Sequence, residues 1–176
     1  LLGDFKAKYA EVEIHLKVSN TEGIVSMVED NEIDLGVVEA PVNNKNLVVE
    51  LCRADQLVVV LPPDHPLATR SKITVRELLE QPYICREEGS GTREVIQEYL
   101  KAAGLAFGDM NSVMELGSPE AIKGAVEASM GISVLSRTTV SKELKLGSLV
   151  AVPLDPPLER PYSFVHQKQK FRMVAM

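Results

Sequence analysis

The amino-acid sequence predicts an α/β fold built as two similar lobes joined by a hinge, and three observations carry that prediction. Segments with the two-residue apolar alternation of strands exchange along the chain with segments of helical periodicity. The order strand, helix, strand, helix, strand runs through residues 83–135 and, lacking only one strand ahead of Leu1, through the first third of the chain. Two proline-rich stretches, residues 62–66 and 153–161, separate these units. Repeats of this kind build parallel sheets layered with helices, and two passages between the sheets make a hinge.

Leu1, Leu2, Phe5 and Tyr9 recur at helical spacing, with Asp4, Lys6 and Lys8 on the other face. Val12, Ile14, Leu16 and Val18 then alternate with Glu13, His15 and Lys17, the pattern of a half-buried strand. Ser19 and Glu22 stand in capping-box register ahead of a helix carrying Ile24, Val25, Met27 and Val28. Residues 34–38, 47–51 and 56–61 read as strands, and Pro62, Pro63 and Pro66 end the last of them, because proline cannot donate to a ladder. A short helix over 75–79 precedes strand 83–86, a glycine-rich loop, helix 93–103 closed by Gly104, and strand 111–116. Another helix and strand 132–135 follow, then strands 149–152 and 162–166 on either side of Pro153, Pro156, Pro157 and Pro161. The prolines place residues 1–61 and 161–176 in one lobe and 62–160 in the other.

The 176 residues are 45% hydrophobic and 25% charged, which is ordinary globular composition without a membrane-length apolar run. A formal charge of −6 repels phosphate backbones, so the chain alone is not expected to hold DNA by charge neutralisation. Cys52 and Cys85 both fall in apolar strand-like segments, where thiols behave as small hydrophobes, and a reduced cytosolic protein fits better than a disulfide scaffold. The chain opens without methionine inside a helix-like segment, as a fragment of a longer protein would.

Chemistry concentrates at helix starts. Gly89-Ser90-Gly91-Thr92 lies between a strand and a helix; its glycines admit close approach to the backbone, and the first N–H groups of the helix attract an anion. Ser90 and Thr92 add hydroxyls and Arg93 adds charge, although for this loop taken alone a helix cap is the favoured explanation of the hydroxyls. Ser118-Pro119-Glu120 and Ser19-Asn20-Thr21 repeat the arrangement. In open parallel sheets the carboxyl ends of strands form the crevice, so the three polar helix starts would face one cleft and favour a small anion among Thr21, Ser90, Thr92 and Ser118. Glu39 and Glu88 would bring negative charge to the same place, pointing either to solvent or to a ligand amine or hydroxyl. Arg86, Lys123 and Arg137 read as solvated or paired surface charges.

No enzyme signature accompanies these loops. Glu94 stands where a dinucleotide fingerprint needs its last glycine, and neither a Gly-x-Ser-x-Gly elbow nor a Walker loop occurs. His15, His65 and His166 sit in separate elements, unlike a metal site, and Cys85 has no identified base. No catalytic residue, metal or cofactor is expected.

Several stretches together resemble the effector-binding domain of LysR-type transcriptional regulators. They are Asn20-Thr21-Glu22; residues 34–42, from Asp34 to Val42; residues 61–68, with Pro62-Pro63-Asp64-His65-Pro66; residues 86–93; residues 116–123, with Gly117-Ser118-Pro119-Glu120; and Met130-Gly131-Ile132. Their order and spacing cover nearly the whole chain. The resemblance implies a type 2 periplasmic-binding-protein fold of two Rossmann-like lobes, a small-molecule effector between them, a bacterial cytoplasmic regulator, and antiparallel homodimers within a full-length tetramer. It also implies an N-terminal winged helix-turn-helix, missing from this chain, through which alone DNA would be bound. By position, Asn20 and Thr21, the turn Glu39-Ala40-Pro41, Gly89, Ser90, Gly91 and Thr92, Ser118 and Gly131 match the family's cleft-lining loops. Two features depart from the pattern: the family's first cleft loop would precede Leu1, and Ser136 stands where the family often has proline. A periplasmic solute-binding protein of the same fold is the alternative, since its cleft would look the same; a signal peptide in place of the helix-turn-helix would distinguish it.

Overall fold

The structure is a computed structural model, and it describes residues 2–168. Leu1 and residues 169–176, which the sequence reading assigns to the first lobe, lie outside the described residues. Six helices, α1 (Leu2–Lys8), α2 (Thr21–Glu29), α3 (Val75–Leu79), α4 (Gly91–Ala102), α5 (Pro119–Glu127) and α6 (Ser141–Leu146), accompany seven strands among them. The strands are β1 (Gly36–Val38), β2 (Leu47–Leu61), β3 (Ile73–Thr74), β4 (Tyr83–Arg86), β5 (Ser112–Leu116), β6 (Ser133–Ser136) and β7 (Val150–Gln167).

Two long antiparallel strands form the spine. Instead of the four short strands expected over 47–61 and 149–166, β2 and β7 are two single long strands that pass each other, with two register shifts, from Leu47 opposite Gln167 to Leu61 opposite Val150. Pro153 and Pro161 are accommodated opposite Val58 and Ala54, and Pro156 and Pro157 sit where the ladder is irregular. Leu57 faces Leu158 while Val58 faces Pro153, so residues 154–157, with Pro156 and Pro157, leave the ladder, and Leu154 and Asp155 pair instead with β3. At the other boundary the expectation holds: β2 stops at Leu61, immediately before Pro62.

At one end of the spine β1 pairs with β7, and α2 lays Ile24 and Val28 against Val38, Leu47 and Val165. At the other end β6 pairs with β2, β4 pairs in parallel with β5, and Tyr83 bridges in parallel to Ile132. There the sheet carries a core on each face. Leu57, Val59, Leu61, Tyr83, Ile96 and Leu100 belong to one cluster, and Val58, Val60, Ile84, Ile122, Val126 and Leu135 to the other. The alternation of consecutive residues of β2 between these clusters is the period-two rule in a strand buried on both faces.

Three expectations need correction. Residues 12–18 pair with no strand among the described residues, and Leu16 and Val18 are exposed. A single segment with strand periodicity has no ladder of its own to satisfy its N–H and C=O groups. The cap of α2 is Asn20, whose side chain accepts from the Gly23 N–H at 2.9 Å, rather than Ser19. Helix α4 begins at Gly91, two residues before the expected start, which makes Ser90 its cap and puts Thr92 in its first turn. Cys85 is buried as expected, whereas Cys52 lies on the exposed part of β2.

Candidate functional site

The carboxyl ends of β1, β4 and β5 open on one cavity of about 480 Å³. Its wall holds the beginnings of α2 (Asn20 and Thr21), α4 (Ser90 and Gly91) and α5 (Ser118 and Pro119). Each helix has N–H groups in its first turn without a helical acceptor, so the three ends add positive potential to the same space. Two of the caps are occupied, since the Ser118 hydroxyl accepts from the Ala121 N–H at 3.1 Å and Asn20 serves Gly23. The Ser90 hydroxyl makes no cap hydrogen bond although the residue is buried.

Of the residues singled out by sequence, Asn20, Thr21, Glu39, Ser90, Gly91 and Ser118 line this cavity together. Pro41 lines a different surface hollow beside Glu94 and Tyr99, and Gly131 one beside Pro62 and His65. Ala40 is fully buried, and Thr92 turns its hydroxyl toward Arg160, which donates to it at 2.7 Å. The two loop glycines serve close packing against other segments of the chain. A side chain on Gly91 would meet the Thr21 hydroxyl at 2.6 Å and Ala40 at 2.9 Å, and the Glu22 N–H donates to the Gly89 carbonyl at 3.3 Å. What comes close to the backbone there is the start of α2 and the turn after β1.

Charge in the cavity is balanced locally. Arg86 donates to its neighbour Glu87 through Nε at 2.7 Å and Nη2 at 2.8 Å. Burial is the largest single influence and would raise the Glu87 carboxyl, but the Arg86 hydrogen bonds and charge, together with backbone and Asn20 hydrogen bonds, outweigh it and hold Glu87 below the ordinary glutamate range. Arg93 contributes no charge here, because its guanidinium lies over the Phe107 ring and binds Glu115 at 2.6 Å. Lys123, expected on the surface, is buried between Glu120 and Glu143. Glu88 stays outside the lining while its carbonyl accepts from Asn20.

Sequence reasoning missed Tyr162, Val37 and above all Arg160. Arg160 lies on β7, buried, with an ion pair to Glu39 at 2.8 Å. An arginine as the single Lys or Arg in the proline-rich stretch 149–166 was the available signal; its partners, 105 and 68 residues away for Asp55 and Thr92, were not. Among the described residues no group of histidine, cysteine or acidic side chains could hold a metal ion. Nor is any helix among the described residues long and apolar enough to cross a membrane.

Two lobes on a double-stranded spine, with a polar cavity at the strand ends, define a small-molecule-binding domain rather than a nucleic-acid surface. The chain belongs to the LysR substrate binding domain family, whose model matches residues 1–176. It is 39% identical over 172 residues to the uncharacterized HTH-type transcriptional regulator YeiE of Escherichia coli, covering 97% of the chain and 57% of the relative. It is 34% identical to the HTH-type transcriptional activator CmpR of Synechocystis, again over 97% of the chain and 55% of the relative. The chain thus spans a little over half the length of these curated relatives, which are transcriptional regulators and not solute-binding proteins. Among solved structures, the regulatory domain of Synechocystis CcmR in complex with 2-PG superposes with a TM-score of 0.86 at 36% identity, covering 96% of this chain and 80% of that one. The effector binding domain of QuiR in complex with shikimate superposes at 0.84 with 18% identity, covering 97% and 80%, a likeness of fold alone.

Proposed function

We propose that the chain is the effector-sensing part of a LysR-type transcriptional regulator, taking a small anionic metabolite between its lobes and catalysing nothing. The observation that carries the reading is the convergence of three helix beginnings and the uncommitted Ser90 hydroxyl on one cavity of about 480 Å³. That volume suits a small ligand. Its polar groups, Asn20, Thr21, Ser90 and Ser118, suit a carboxylate or an oxyanion, the class to which the effectors named for CcmR and QuiR belong. Nothing in the cavity pairs a nucleophile with a base.

The lobes of this reading are residues 1–61 with 161–176 and residues 62–160, and the strands that pass between them are β2 and β7. A winged helix-turn-helix would lie outside this chain in the whole protein and carry its DNA contacts, in a cytoplasmic homotetramer built from dimers of this domain. Calorimetric titration of the 176-residue chain with 2-PG, shikimate, phosphate and sulfate tests the ligand class. Saturable binding of at least one anion is expected, weakened roughly a hundredfold or more when Ser90→Ala and Ser118→Ala are combined, since each hydroxyl bonded to a charged group contributes about 1.5–3 kcal/mol. No binding of any of the four, or unchanged affinity in the double variant, rejects the reading.

A further inference from the structure

We propose that Arg160 is the positioning residue of this cleft: one buried guanidinium on a spine strand ties Glu39 of the first lobe, which lines the cavity, to Thr92 of the second, in the first turn of α4. The anchor is a cross-strand pair. Asp55 on β2 lies in register with Arg160 on β7, and its Oδ2 accepts from Arg160 Nε at 2.9 Å and Nη2 at 2.8 Å. Asp55 Oδ1 accepts from Ser136 Oγ at 2.8 Å, and that hydroxyl accepts in turn from the Thr138 N–H at 3.2 Å, tying in the end of β6. From this anchor Nη2 reaches Glu39 Oε2 at 2.8 Å, just past β1, and Nη1 donates to Thr92 Oγ1 at 2.7 Å, in the first turn of α4.

Only arginine presents donors in a planar fork able to meet three partners in three directions at once. The Arg160 side chain is 1% exposed and that of Asp55 4%, so neither charge is solvated and each depends on the other. Glu39, at 38%, is the arm that reaches the cavity, and its second oxygen is free to accept from a ligand hydroxyl or amine. The described buried side-chain atoms that lack a hydrogen-bond partner, Arg93 Nε and Glu143 Oε2, lie outside the cluster, so it is a closed network. A group bound beside Glu39 therefore bears on an arm rooted where both spine strands pass between the lobes, and the start of α4 is rooted in the same atom group.

This inference rests on the ligand reading above, and the test separates the two. In a Cys52→Ser background, spin labels on Ser26→Cys in α2 and Lys101→Cys in α4, both exposed, report the distance across the cleft. Thr92→Val and Glu39→Ala each remove one arm while leaving Asp55 paired, so both variants retain the anchor; Arg160→Lys keeps the charge but loses the fork. All three are expected to broaden the distance distribution relative to wild type. An unchanged distribution in Thr92→Val and Glu39→Ala, even with lowered melting temperatures, would show a purely structural ion pair and overturn the proposal. If wild-type chain binds neither 2-PG nor any other anion tested, the ligand reading falls, and the distance measurement still decides the role of Arg160.

Discussion

Between Met130 and Ile132 the backbone passes through Gly131 at φ +156°, and a side chain there would stand 2.7 Å from the Pro82 carbonyl oxygen. That oxygen accepts from the Ile132 N–H at 2.8 Å, so neither partner is free to move. Gly131→Ala is expected to cost about 1–3 kcal/mol in urea unfolding, as strain at a special backbone position does. Gly124 is the opposite case. It sits in α5 with open space where a Cβ would be, so Gly124→Ala should leave the core untouched and raise stability by up to ~1 kcal/mol through helix propensity. At this scale the sequence was legible where a residue acts with its near neighbours. Asn20, Ser90 and Ser118 were readable as polar helix starts, whereas the partner of Thr92 was not, because Arg160 comes from β7.

Among the elements, α3 shows how far local signals reach. The helix was expected over 75–79 and is found as Val75–Leu79, because Thr74 and Glu77 close a reciprocal capping box around its first turn. The Glu77 N–H donates to Thr74 Oγ1 at 3.3 Å, and the Thr74 N–H donates back to Glu77 Oε2 at 2.9 Å. The Thr74 backbone N–H is the main cause that holds the Glu77 carboxyl below its ordinary value of 4.5, with the Thr74 hydroxyl next. A depressed folded-state value means stabilisation that is present above the unfolded pKa and lost as the pH falls through the folded one. Glu77→Gln is therefore expected to lower the melting temperature at neutral pH and to converge on wild type in acid below the carboxylate range. A gap that stays constant down to strongly acidic pH would contradict the role given to the carboxylate. Strand periodicity was the weaker guide. The alternation in residues 12–18 is as clean as any in the chain, yet a strand exists only where a second backbone completes its hydrogen bonds.

For the whole molecule, the exposed apolar surface raises the question of assembly. Helix α1 buries none of its residues, Leu2, Phe5 and Tyr9 are 50%, 44% and 41% exposed, and Val113 of β5 is 50% exposed. In a two-fold pair, α1 and the segment 12–18 of one copy would meet α4 and β5 of the other and cover what neither covers alone. A biological contact of this kind should bury at least roughly 1,000 Å². Equilibrium sedimentation at micromolar concentration is expected to show a dimer that Phe5→Glu with Tyr9→Glu dissociates. A monomer throughout, or a dimer indifferent to both substitutions, would return these residues to ordinary exposed surface.

The sequence by itself determined the alternation of elements, the stop of β2 at Pro62, the polar helix starts and the family. These rest on interactions within a few residues of each other, or on motifs whose order survives in one dimension. Tertiary structure alone decided that β2 and β7 are single strands spanning the molecule, because the ladder that carries β7 past its prolines is supplied by residues about a hundred positions away. It alone decided that Gly89 and Gly91 admit the start of α2 and the turn after β1, and that Asp55, Arg160, Glu39 and Thr92 share one buried network. Burial and charge pairing are properties of neighbours in space, and periodicity along a chain records which face a residue takes without recording what waits on the other side.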